Sequence, residues 1–106
     1  MSITTALLPF ARLNEREINC NALVVFLTIA ESGEHGVKQA DLALRLRIAK
    51  SSVSRNCGIL GLKTQKNKDG LGLIKVEPWP KDPRINLLSL TDKGKDLYET
   101  MTAALH

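Results

Sequence analysis

Residues 37–62, VKQADLALRLRIAKSSVSRNCGILGL, decide the fold. Ala40, Leu42, Ala43 and Leu46 are the inner positions of a helix over 37–47, with Ile48 just beyond it. Val53, Cys57 and Leu60 recur at i, i+4 and i+7, the core face of a second helix over 49–62. Gly58 and Gly61 each cost that helix about 1 kcal/mol relative to Ala. With Val53 at zero and about 100° per residue, Cys57 and Leu60 fall within about 40° of it, whereas Ser51, Arg55 and Gly58 fall between about 140° and 200°. One face packs and the other is small and polar. Hydroxyls, a guanidinium and a residue without a side chain suit close approach to a DNA major groove. A solvated serine-rich surface is the alternative, but serine is a middling helix former, so propensity does not explain Ser51, Ser52 and Ser54 in one turn.

Upstream, Ile18, Ala22, Val25, Phe26 and Ile29 form one face of a helix over 15–32, ended by Ser32 and Gly33. Leu23, Val24 and Leu27 give it a second apolar face, and residues 1–14 read as an N-terminal arm. Downstream, Ile74 and Val76 alternate with Lys75 and Glu77 as inward positions of a strand over 73–77. A second strand over 85–90 has Ile85 and Leu87 inward, and residues 78–84, with three prolines, read as a stiff hairpin tip. Thr91 is an N-cap for a helix over 91–106 whose apolar stripe is Leu97, Met101, Ala104 and Leu105. The order is three helices, two strands and a helix.

The chain has 106 residues, 43% of them hydrophobic, which is enough for one core and one domain. Its two cysteines, Cys20 and Cys57, have no His or Cys at metal-ligand spacing and read as reduced thiols of a cytoplasmic protein. Thr4, Thr5, Pro9 and Arg12 interrupt any signal-peptide core, and the apolar run 22–30 is about half the length that crosses a bilayer. No membrane partner is expected. His35 and His106 make no catalytic constellation, and Gly70-Leu71-Gly72 is too short for a phosphate loop and leads into a strand. Neither an enzyme nor a cofactor is expected.

The net charge of +4 is unevenly placed. Residues 42–68 carry Arg45, Arg47, Lys50, Arg55, Lys63, Lys66 and Lys68 and no acid, while the flanking segments are weakly acidic. A solvated basic face is one reading. Because the run coincides with a helix pair followed by a hairpin, nucleic acid is the better one.

Here the sequence resembles the winged helix-turn-helix domain of the MarR family of transcriptional regulators. The matching residues are Leu42-Ala43, Leu46 and Ile48, then Ser52-Val53-Ser54-Arg55 and Leu60, Gly72-Leu73-Ile74, Asp82-Pro83-Arg84, and Leu90-Thr91-Asp92-Lys93-Gly94 with Leu97. The resemblance implies a mainly α (α+β) winged helix-turn-helix: a three-helix core, a β-hairpin wing over 73–90 and a C-terminal helix. It also implies that Arg84 reaches a minor groove and that Asp82 holds it, where a guanidinium suits the strong negative potential. A surface charge at a hairpin tip is the other reading of Arg84. For Trp79, packing at the wing base is favoured over base stacking.

The expected partners are double-stranded DNA and a second copy of the chain, with Leu7, Phe10, Leu23, Leu27, Met101 and Leu105 available for dimerisation. The expected DNA-contacting set is Lys50, Ser51, Ser52, Ser54, Arg55, Lys63, Lys66, Lys68, Lys81, Asp82 and Arg84. The chain departs from the family pattern at Ala49, where a hydroxyl N-cap would stand, and at an insertion over 63–71. It departs again in its short terminal segments, 4–13 and 92–105. With only Phe10, Phe26, Trp79 and Tyr98 as aromatics, a phenolic effector pocket is not carried over. The leading expectation is a DNA-binding transcriptional regulator, a repressor. The alternatives are a DNA-binding module of a replication or packaging machine, and a winged helix used for protein contacts.

Overall fold

Val53 and Leu60 have no exposed surface and Cys57 is 5% exposed, so the apolar face read from the sequence is the one that packs. A computed structural model describes residues 3–13, 19–61 and 70–105. In chain order the elements are α1 (Ile3–Ala11), α2 (Cys20–Glu31), β1 (Val37–Lys38), α3 (Gln39–Leu46), α4 (Lys50–Leu60), β2 (Ile74–Trp79), β3 (Asp82–Leu90) and α5 (Asp92–Ala103). The α3–α4 pair and the β2–β3 hairpin form a winged helix-turn-helix, with α2 behind the pair and α1 packed on α5. Phe10, Phe26, Ile29, Leu42, Leu73, Ile74, Leu88 and Met101 join the α4 face in one core, in which the Phe10 and Phe26 rings lie 5.4 Å apart.

The helix ends follow local chemistry. The Asn19 side chain caps α2 by accepting the Ala22 N–H at 2.9 Å, and the Thr91 hydroxyl caps α5 by accepting the Gly94 N–H at 3.1 Å. Arg47 adopts φ 55°, the left-handed conformation that turns the chain between α3 and α4. Ala49 precedes α4 and makes no side-chain cap bond, so the helix starts at Lys50 without one.

Several expectations are corrected. Residues 3–11, read as part of an arm, form α1, because Ala6 and Phe10 are buried against the core. The helix expected from residue 15 is described from Cys20, with Asn19 as its extended N-cap and residues 15–18 outside the described ones. Val37 and Lys38, read as the start of a helix, form β1 and pair with Leu88 and Leu87. Ala40, read as inward, is exposed in the first turn of α3. On β3 the buried residues are Leu88 and Leu90, and Ile85 and Leu87 are only half-buried. The apolar set 85, 87, 88, 90 has no clean alternation, so its phase is fixed by pairing with buried Val37. Val76 shares the inward face with Ile74 but is 44% exposed, since the wing extends past the core.

The hairpin is also tighter than its prolines implied: only Pro80 and Lys81 lie between the strands. Pro78 is tolerated because β2 is an edge strand in the order β1-β3-β2. The register steps from Pro78↔Asn86 to Trp79↔Asp82, leaving Pro83, Arg84 and Ile85 bulged out of the ladder.

The wing is tied to the helices at its base. Leu71, Gly72 and Leu73 donate their N–H groups to the carbonyls of Ile59, Gly61 and Leu60 at 2.8, 2.7 and 2.7 Å, satisfying the end of α4. The Thr91 N–H and hydroxyl then bond the carbonyls of Leu73 and Gly72 at 3.0 and 2.6 Å, and Lys93 Nζ reaches that of Leu71 at 2.9 Å. Gly94 completes the joint, since a Cβ there would overlap the Leu73 carbonyl oxygen. Gly94→Ala is therefore expected to cost about 2 kcal/mol of stability through overpacking. A urea titration with an unchanged midpoint would refute that close approach.

Candidate nucleic-acid interface

α4 divides its polar residues among three concavities. Ser51, Ser52 and Arg55 line an open cleft of about 680 Å³ with Asn19, Cys20 and Asn21 at the start of α2. Lys50 lines a smaller notch, about 220 Å³, together with Arg84 and Asn86 of the wing and Gln39 and Ala43 of α3. Ser54 faces the third, with Cys57, Gly58 and Gly61 against Lys75, Val76 and Glu77 of β2. Lys50, Ser51, Ser54 and Arg55 are exposed and Ser52 is half-buried. Lys50 and Arg84 are thus brought together, whereas Arg55 and Arg84 line different cavities. Lys63, Lys66 and Lys68, and the 63–71 insertion up to residue 69, lie outside the described residues.

Arg84 projects from the bulge with its side chain 89% exposed. Asp82 holds it as a fork: Nε donates to Oδ1 and Nη2 to Oδ2, each at 3.0 Å, while the Arg84 backbone N–H donates to Oδ1 at 3.1 Å. These bonds keep the Asp82 carboxyl below its usual range and push the Arg84 guanidinium up. Pro83 stiffens the link between the two. Lys81 occupies the turn beside them and is exposed.

Three residues the sequence reading did not single out contribute. Asn56, on α4, is 3% exposed and bonds both Asn19 and Ser52. Its position was readable: three residues from Val53 is about 300° around the helix, inside the packed sector, where an amide signals a buried hydrogen bond. Lys38 places Nζ 3.9 Å from the centroid of the Trp79 ring, with Lys81 Nζ at 5.7 Å. Trp79 therefore sits at the tip end of β2 rather than at the wing base, and an ammonium covers its ring. Gln39 accepts a bond from Asn86 at 3.4 Å, linking α3 to the wing.

The cysteines are free, Cys20 exposed and Cys57 buried. Burial pushes the Cys57 thiol up to about 11, so it packs as a neutral group. Among the described residues no three His, Cys, Asp or Glu side chains cluster to hold a metal, and no helix is long and apolar enough to cross a membrane.

The fold and this wing-and-helix arrangement define a winged helix-turn-helix of MarR-like type. The chain is similar to the YusO protein of Bacillus subtilis, at 26% identity and a TM-score of 0.66, over 94% of this chain and 62% of that one. It is also similar to a mutant of S. aureus MepR bound to an oligodeoxyribonucleotide, at 22% identity and a TM-score of 0.71, over 96% and 66% of the two chains. A third similar structure is a mutant MarR from E. coli complexed with operator DNA, at 20% identity and a TM-score of 0.65, over 94% and 64%. The chain spans about two thirds or less of the length of each. No protein-family model and no curated protein matches the sequence.

Because folding lowers the Asp82 carboxyl, its linkage favours the fold above the usual carboxylate range and fades as pH falls through the lowered value. Both partners face solvent, so the effect on stability is small and the effect on Arg84 geometry is the one to measure. In an NMR titration Asp82 is expected to titrate below the usual carboxylate range, and Arg84→Ala to raise it part of the way back, since the backbone N–H of residue 84 still donates to it. Identical titrations in the two proteins would remove the fork as the cause.

Proposed function

We propose that the chain is a sequence-specific double-stranded DNA-binding protein, a transcriptional regulator acting as a repressor, which places α4 in the major groove and the wing in the minor groove. The observation that carries this reading is the position of the two ends of one basic surface. Lys50 opens α4 and lines the same notch as Arg84, which lies in the bulge and is oriented by Asp82. The run without acids over 42–68 lies on α3, α4 and the segment that follows. The similarity to a MepR mutant bound to an oligodeoxyribonucleotide and to a MarR mutant complexed with operator DNA supports the same reading.

In this proposal Arg55 and Ser54 read base edges, Ser51 and Ser52 contact bases or phosphates, and Lys50 and Lys81 contact phosphates. Arg84 enters the minor groove under the control of Asp82, and Lys63, Lys66 and Lys68 add phosphate contacts. The free cysteines fit a reducing, cytoplasmic setting.

Salt dependence and one substitution test it together. If at least about three of these five lysines on each protomer of a dimer meet phosphates, log K against log salt has a slope near −5 or steeper. Arg55→Ala is expected to cost about 1–3 kcal/mol on a duplex selected from a random pool and far less on random DNA. A slope between zero and −1 overturns DNA binding, and equal losses on both duplexes overturn the role of Arg55.

The proposed homodimer uses the terminal helices and the outer face of α2. Phe10 and Met101, considered for this interface, are enclosed in the protomer core at 1% and 3% exposure. Among the described residues of those helices, apolar surface is offered by Ile3, 71% exposed, Leu8, 37% exposed, and half-buried Leu7, Leu23, Leu27 and Leu105. A two-fold axis there would set recognition helices for half-sites about 34 Å apart. Sedimentation equilibrium at micromolar concentration is expected to give twice the chain mass, reduced to one chain by Leu8→Asp. A monomer mass for the unaltered chain refutes the dimer.

A further inference from the structure

Two side-chain amides form a directed hydrogen-bond chain from the start of α2 to the outer face of α4. Asn19 Oδ1 accepts the Ala22 N–H at 2.9 Å, and Asn19 Nδ2 donates to Asn56 Oδ1 at 3.2 Å. Asn56 Nδ2 donates to the Ser52 carbonyl at 2.9 Å and contacts the Ser52 hydroxyl oxygen at 3.5 Å. The ends fix both amide orientations: an amide N–H only donates and a carbonyl only accepts, so one orientation of each amide satisfies these bonds. A buried amide is costly unless bonded, and Asn56 occupies a sector that an apolar side chain would fill. Its presence there points to a task beyond packing.

That task is visible at Ser52. Its oxygen accepts the 3.5 Å contact from Asn56, which leaves its proton available to an acceptor, and the residue lines a cleft that holds Arg55 and Ser51 and that no carboxylate lines among the described residues. We propose that Asn56 is a positioning residue for DNA recognition: with Asn19 it holds the start of α2 against α4 and commits the Ser52 hydroxyl to donating to an acceptor atom of the duplex. The inference rests on the reading of α4 as the recognition helix. It adds what that helix needs from its neighbour.

The test measures affinity for a duplex selected by the unaltered chain and for random duplex. Asn56→Leu fills the packed sector but removes the amide, while Asn19→Ser keeps an oxygen to cap α2 but is too short to reach Asn56. Each is expected to lower affinity for the selected duplex about tenfold, the effect of one net hydrogen bond. In a Ser52→Ala background either change is expected to add less than about twofold, because the route runs through the hydroxyl. The unfolding temperature of Asn56→Leu stays at or above that of the parent, which a purely structural role for the amide would not allow.

A loss confined to the selected duplex assigns the acceptor to a base edge, and an equal loss on random duplex assigns it to a phosphate; either supports the relay. Unchanged affinity in Asn56→Leu, or losses that multiply independently with Ser52→Ala, overturns it. If Asn56→Leu does not fold, Asn19→Ser with and without Ser52→Ala makes the same decision. An unaltered chain that binds no duplex at all overturns the DNA-binding reading itself.

Discussion

The end of a helix and the start of a strand share three backbone hydrogen bonds, from Leu71, Gly72 and Leu73 to Ile59, Gly61 and Leu60. Without them the last carbonyls of α4 would lack partners, and nothing covalent nearby would fix the angle between α4 and the wing. The joint is reinforced from α5, where Thr91 bonds the same segment and caps its own helix, and where Gly94 lets the two backbones touch. The spacing between Lys50 and Arg84, one on α4 and the other on β3, is inherited from this joint.

What was legible in the sequence had a strong local cause. The 3.6-residue period exposed the α4 face because Val53, Cys57 and Leu60 are all buried. Thr91 was readable as a cap because a hydroxyl three residues before a glycine N–H has few other uses at a strand end. Asp82 and Arg84 were readable through the family resemblance, and their fork needs only local chain. The features that escaped depend on partners distant in sequence. α1 is held by α5, and two-residue β1 exists only because Leu87 and Leu88 offer it an edge. The phase of β3 was misread for the same reason, since a run of four apolar residues takes its orientation from the strand beside it.

The bulge at Pro83, Arg84 and Ile85 could not be read as such because it is a mismatch between two strands, not a property of either. Its consequence is functional. A regular ladder would pair Arg84 with a residue of β2, whereas here Pro83, Arg84 and Ile85 are unpaired with β2 and the Arg84 side chain is 89% exposed. Exposure alone would give a guanidinium many rotamers, each to be lost on binding. The Asp82 fork removes most of that freedom in advance. Its energetic weight in folding is small because water screens both groups, so its effect is on the shape presented.

Asn56 solves the same problem from the inside. Arg84 is oriented by a charged partner in water, where the bond is weak and the arrangement cheap; Ser52 is oriented by a buried amide, where the bond is firmer and an unmet partner costly. The difference follows from where each group sits. A wing tip has no core to draw on, so its order must come from neighbours along the chain, Pro83 and Asp82. A helix packed on α2, as α4 is, can borrow rigidity from a side chain 37 positions away, and Asn19 supplies it while capping its own helix. The amide that starts α2 therefore couples the stability of that helix to the donor geometry of the next, and a change at either asparagine is felt at the Ser52 hydroxyl in the cleft they line together.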